Sequence, residues 1–220
     1  FFWWIAFAQI GGRIGGYDFN DVMFIWALTS TAFGAAHILF ANMNRLTRLI
    51  ISGELDTFLL QPKDILVSLL SNTSLTAWGD FLYGFILIAL TQGNSVMVWL
   101  MFLLGVVTGG LLITAICVTA HTFTFYLGDA SLIGNMALEF VINFCIYPEG
   151  IYRGFIRVLM LSVIPTSFIV HIPLKLARSF NPLLLVVLLT VSFFYCFLAY
   201  KFFYRGLKRY ESGNLLITRL

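Results

Sequence analysis

The chain reads as an all-α polytopic membrane protein. The expected architecture has six transmembrane helices, an interfacial helix after the second span, and a re-entrant helical hairpin before the last. Three observations predict this. Of 220 residues, 60% are hydrophobic and 10% are charged, and 23 are Phe. Soluble domains carry about 25% charged residues, so a water-facing surface could not be covered. Mean hydropathy is +0.94, and apolar blocks recur near the ~20 residues needed to cross ~30 Å of hydrocarbon. The basic residues sit in short clusters between those blocks, for a net charge of +3. That pattern suits orientation signals and leaves nucleic acid out as a partner.

In chain order, residues 1–10 read as the end of one span. The start on Phe-Phe-Trp-Trp without a Met points to earlier residues missing from the sequence. Gly11, Gly12, Gly15 and Gly16 around Arg13 then form a flexible turn; no strand pattern precedes them, which argues against a dinucleotide loop. Residues 22–43 are the first complete span, and Arg45 and Arg48 place its end in the cytoplasm. Residues 45–64 are amphipathic and too polar to cross. The next span is expected from near Leu66 to Leu90, with the polar segment 71–80 inside it. Residues 92–94 turn tightly. Residues 96–126 span again, with Gly105, Gly109 and Gly110 at the small-xxx-small spacing that lets helix backbones approach. Residues 131–147 are a shorter span. Residues 183–204 are the last, followed by Arg205, Lys208 and Arg209.

Residues 148–181 have an apolar middle interrupted by Pro165 and Pro173 and flanked by Arg153, Arg157, Lys175 and Arg178. If the segment returns on the side it left, eight of the 13 Lys and Arg lie inside and five outside; if it crosses, the split reverses. The positive-inside rule therefore favours a hairpin on the outer side, with both termini cytoplasmic. No internal duplication interrupts residues 1–220, which read as one transmembrane domain.

Motifs for chemistry are absent. There is no G-x-x-x-x-G-K-(S/T), no H-E-x-x-H and no G-x-S-x-G, so no catalytic residue, metal ligand or cofactor is expected in this chain. Cys117, Cys145 and Cys196 form no CxxC pair and read as small hydrophobes with no disulfide. In residues 45–62, Leu46, Leu49, Ile50, Gly53 and Leu60 recur near helical spacing opposite the arginines. Ser52 is expected to cap a new turn, with Glu54 and Asp56 near its N-terminus and Pro62 ending it. This is either a plain interfacial connector or a docking surface for a soluble partner.

Residues 53–62, Gly-Glu-Leu-Asp-Thr-Phe-Leu-Leu-Gln-Pro, resemble the G-(E/D)-L-D-x-x-L-L-x-P segment of a bacterial family of ABC exporter permeases in the type-2 superfamily. Tyr147-Pro148-Glu149-Gly150-Ile151-Tyr152-Arg153-Gly154, then Pro165 and Pro173, are similar to that family's second signature, Y-P-x-x-I-Y-x-G. The likeness runs through almost the whole chain in order and spacing; it departs at the N-terminus, where the family carries an interfacial segment and the start of its first helix. The resemblance implies a multi-pass subunit of the bacterial inner membrane. It implies pairing with a second copy or a related permease, and seating on two ABC ATPase subunits that hold the ATP and Mg. Segment 45–64 would be the coupling helix, with Arg45, Arg48, Glu54, Leu55, Asp56, Phe58 and Leu59 facing the ATPase. Residues 148–181 would be the extracellular re-entrant hairpin.

Ionisable residues at membrane depth are functional candidates, since an unpaired charge there costs roughly 2.5–3.5 kcal/mol on insertion scales. Asp80, Glu139, His37 and His121 are such candidates for a translocation path. Either acid can instead pair with a helix-end Arg, and either histidine can be a neutral bond to a neighbouring helix. The competing reading is a secondary transporter or channel without an ATPase, using these four as its relay. Substrates are expected to be apolar or amphipathic.

Overall fold

The computed structural model describes residues 4, 5, 7, 9, 13–92 and 95–211. Most of the expected first span, the Gly11-Gly12 pair, the Gly93-Asn94 turn and Arg219 lie outside them; Trp4, Ile5, Phe7 and Gln9 are helical. The fold is all-α. Among the described residues, three helical stretches, of 33, 32 and 26 residues, are long and apolar enough to cross a membrane, and two shorter apolar helices accompany them.

Helix α1, Phe19–Phe40, starts at a capping box in which Asp18 accepts from the Asp21 amide and Asp21 from the Asp18 amide, satisfying two donors the first turn leaves open. Through a 3₁₀ turn, Ala41–Arg45, it continues into α2, Leu46–Ile51. Helices α3, Leu55–Leu59, and α4, Ile65–Leu70, follow, and then α5, Ala77–Thr91. Helix α6, Val96–Thr122, runs back and ends in a turn at Thr124–Leu127; α7 is Ser131–Ile146. The last helix, named α10 below, is Pro182–Leu207. Helix α1 packs on α5 and α6, and α6 on α7 and α10. The α1–α5 contact is close because Gly84 lies against Thr31 and the Ala27 carbonyl, and Gly34 against the Phe81 backbone. On α6, Gly105 meets Leu28, and Gly109 meets Ala32 and Ile169, the close approach their spacing predicted.

The structure departs from the expected span over 66–90. Residues 71–76, between α4 and α5, are not part of a helix: the chain is extended at Ser71, irregular through 74, and turns at 75–76 into α5. The Asn72 carbonyl accepts from Ala41, and the Ser74 amide donates to His37. Here Ser71 bonds back to the Val67 carbonyl, and the Asn72 side chain accepts from the Thr73 amide. Such short polar side chains offer the backbone alternatives to the helical ladder. Segment 45–62 also breaks. Gly53, at φ 77°, turns the chain between α2 and α3, a conformation glycine adopts without strain. Ser52 does not cap: its hydroxyl donates to the Glu54 carboxylate at 3.1 Å, and Glu54 itself is the residue that precedes α3.

Between α7 and α10 come a 3₁₀ turn at Glu149–Ile151, α8 at Phe155–Leu161, a π turn at Ser167–His171 and α9 at Ile172–Arg178. Glu149, at the start, pairs with Lys175, near the end, at 2.7 Å. The segment therefore returns to the end of the bundle that it left.

Candidate coupling surface and intramembrane cleft

Two places bear on function, one at the Arg45 end of the bundle and one inside it. At the Arg45 end, α2 turns Leu46, Thr47, Leu49 and Ile50 inward and leaves Arg45 and Arg48 exposed. Thr47 Oγ1 bonds His121 Nδ1 at 2.8 Å and Thr124 Oγ1 at 2.7 Å. His121 is 1% exposed, and its ring fills the space beside Gly134 of α7. Beyond Gly53, Leu55 is buried and Phe58 packs on the core, while Glu54, Leu59 and Leu60 face outward, Leu60 at 87% exposure. Asp64 ties this segment to the last helix. One carboxylate oxygen caps α4 at the Val67 amide, and the other accepts from Tyr200 at 2.7 Å and Tyr204 at 3.1 Å.

Inside the bundle, α1, α5 and α7 enclose an open cleft of about 350 Å³. Trp26, Thr29, Ser30 and Phe33 line it from α1, Asp80 and Tyr83 from α5, and Ile142 and Ile146 from α7. Asp80 stands in the first turn of α5. Its carbonyl accepts from Ser30, halfway along α1, so it sits level with the middle of that helix despite its place near the start of its own. Glu139 is exposed on α7, one turn from Ile142. His37 is not in the cleft lining: its Nδ1 meets the Phe33 carbonyl at 2.9 Å and its Nε2 the Asn44 amide at 2.8 Å. The structure thus brings Asp80 to a cleft, leaves Glu139 beside it on the exposed face of α7, and puts both histidines in packing contacts. Among the described residues, no group of three His, Cys, Asp or Glu side chains could hold a metal ion.

The family model for ABC-2 family transporter proteins matches residues 1–213. The chain belongs to that family. No curated protein and no solved structure matches it. Members of the ABC-2 family are membrane components that work with ABC ATPase partners, so this ABC-2 protein is a membrane-embedded permease component of an ABC transporter.

At the opposite end of the ABC-2 permease, the hairpin residues separate by role. Pro148 and Glu149 are buried where the chain leaves α7; Tyr152 donates to the Asn143 carbonyl at 3.3 Å and its ring meets Phe144 edge-on. Tyr147 and Arg153 face outward, and Pro165 and Pro173 are buried in the returning limb. Arg178 pairs with Asp21 through Nε and Nη2 and lies 5.0 Å over the Tyr17 ring. Thr47, Asp64, Trp26, Tyr83 and the Asp21–Arg178 pair are not singled out by sequence alone. Each matters through a partner 20 or more positions away, which hydropathy and spacing do not report; only the Asp-x-x-Asp before α1 carries a local signal, as a cap.

Proposed function

We propose that this permease is the membrane subunit of an ATP-driven exporter of the bacterial inner membrane, with both termini in the cytoplasm. Segment 45–64 is its coupling element, and a separate ATPase dimer binds the ATP and Mg. The permease pairs with a second copy or a related subunit. One observation carries the docking reading: α2 and α3 are held to the bundle by Thr47 and Leu55 while Glu54, Leu59 and Leu60 project from it together. An exposed apolar pair rimmed by charge fits a protein groove better than water. Seven basic residues lie toward this end among the described residues, Arg45, Arg48, Lys63, Lys201, Arg205, Lys208 and Arg209, and they support its cytoplasmic placement. Closure of the ATPases would push on this tip, and helices with two packings would open alternately to either side. Asn135, Glu139 and Asn143 recur at every fourth position on the exposed face of α7. That polar stripe suits a water-filled path or a paired subunit, because lipid would leave it unsatisfied.

The test is charge reversal at the tip. Glu54→Lys with Asp56→Lys is expected to weaken co-purification of the ATPase subunit about tenfold or more while membrane insertion is unchanged, in keeping with desolvated interface charges. Unchanged assembly and unchanged ATP turnover in that variant would remove the docking role.

A further inference from the structure

The cleft between α1, α5 and α7 has a chemistry narrower than apolar or amphipathic. Three aromatic rings, Trp26, Phe33 and Tyr83, surround it, two hydroxyls, Thr29 and Ser30, punctuate it, and a single carboxylate, Asp80, opens onto it. Among the described residues no basic side chain pairs with Asp80, and the hydrogen bond from Ser30 goes to its backbone carbonyl, not to the carboxylate. His37 lies within electrostatic reach but is committed elsewhere. Its bonds to the Phe33 carbonyl and the Asn44 amide suit a neutral ring that donates from Nδ1 and accepts at Nε2. The acid is therefore a carboxylate exposed to the cleft halfway along α1, with no cation to pair with among the described residues, an arrangement that is costly wherever water is excluded unless something positive visits it. Aromatic faces attract the same visitor, because a cation over a ring is stabilised by about 0.5–2 kcal/mol, more when dehydrated. The volume, about 350 Å³, lies at the small end of ligand sites, and the isoleucines of α7 offer its far wall to hydrocarbon.

We propose that this cleft binds a lipophilic organic cation, an amine or onium centre carrying apolar groups, with Asp80 as counter-ion and Trp26, Phe33 and Tyr83 as the cage. The assignment rests on the permease reading and names the substrate class of its path. A neutral lipid or an anionic pigment would leave Asp80 unpaired; an onium ion removes that penalty and fills the rings at once.

Tetraphenylphosphonium and tetraphenylborate have the same shape and opposite charge, which makes them a direct pair of probes. Their binding is to be measured on the whole transporter complex in lipid nanodiscs without nucleotide, with empty nanodiscs subtracted. The permease is expected to bind the phosphonium at least tenfold more tightly than the borate, in line with an intramembrane charge pair. Asp80→Asn should erase that preference, Asp80→Glu should keep it, and Trp26→Leu should weaken the phosphonium a few-fold. Equal affinity for the two ions in the unmodified complex, or a preference that survives Asp80→Asn, overturns the assignment. So does a permease that binds neither ion. The Glu54→Lys, Asp56→Lys variant is expected to bind the phosphonium normally, because no ATPase contact enters the measurement. Loss of docking in that variant and loss of cation binding in Asp80→Asn are thus separate failures.

Discussion

Two acids at the hairpin end, Glu149 and Asp21, are buried yet charged, and each is compensated by cations from the returning limb. Glu149 accepts from Lys175 at 2.7 Å and lies 3.6 Å from Arg157. Burial acts to raise its carboxyl, but the Lys175 hydrogen bond and the charges of Lys175, His171 and Arg157 outweigh it and hold the group below its ordinary value. A carboxyl lowered in this way stabilises the fold above the unfolded value, and the contribution vanishes as pH falls through the folded one. The hairpin should therefore loosen on acidification below about 4.5, the ordinary value for this group, and stay firm at neutral pH. Glu149→Gln is expected to lower the melting temperature at pH 7 and to flatten its decline in acid. A decline equally steep in the variant would place the acid-sensitive group elsewhere. At Asp21, removal of the carboxylate by Asp21→Ala strands Arg178. Breaking a fully buried pair costs roughly 3–5 kcal/mol; here the loss should be smaller, because the Arg178 side chain is 40% exposed.

Between α4 and α5 the chain leaves the helical state inside the bundle. Residue 72 is level with Phe40 and Ala41, Ser74 with His37, and Ala77 with Gly34, so the non-helical stretch climbs beside the last two turns of α1. Backbone of this kind is tolerated at such depth only against protein or along a water-filled cavity, and broken helices mark binding regions in other transporters. Ser71, Asn72, Thr73 and Thr76 are exposed, which favours water. A cysteine placed by Thr73→Cys or Thr76→Cys should then react with a membrane-impermeant thiol reagent, while Leu82→Cys and Ile86→Cys, exposed on α5, should resist it. Protection of all four would mean that the stretch is covered. The helices themselves were readable from length and hydropathy, because a crossing segment must satisfy its own backbone and the pattern for doing so is local. The break was not. The run Ser-Asn-Thr-Ser is equally compatible with a polar helix turn, and what decides is a contact between Asn72 and Ala41, 31 positions apart. Gly53 is a second case: it falls at helical spacing with Leu46, Leu49, Ile50 and Leu60, yet its φ of 77° makes it the break, and the cleft needs three helices that no single stretch of sequence brings together.

Across the whole molecule, the proposed docking tip and the cleft are joined by short, rigid steps. Thr47 on α2 bonds His121 on α6, and the His121 ring occupies the notch at Gly134 on α7. Helix α7 continues to Ile142 and Ile146 in the cleft wall. A push on α2 therefore reaches α7 without passing through a flexible loop. Asp64 gives a second link, from the same segment to Tyr200 and Tyr204 of α10. Thr47→Val removes both hydroxyl bonds and little volume, at a stability cost of about 1 kcal/mol for each lost bond, and it leaves the outward face of the tip untouched. Gly134→Ala places a methyl group where the His121 ring sits. If the Thr47–His121–Gly134 contact transmits the stroke, both variants should keep the ATPase subunit bound yet lose several-fold in phosphonium-stimulated ATP turnover, as expected for removal of about 1 kcal/mol of coupling. Loss of ATPase binding in either variant would make the contact a docking support. Unchanged stimulation in both would route the stroke through Asp64 and α10, and Asp64→Asn would then be the variant that uncouples.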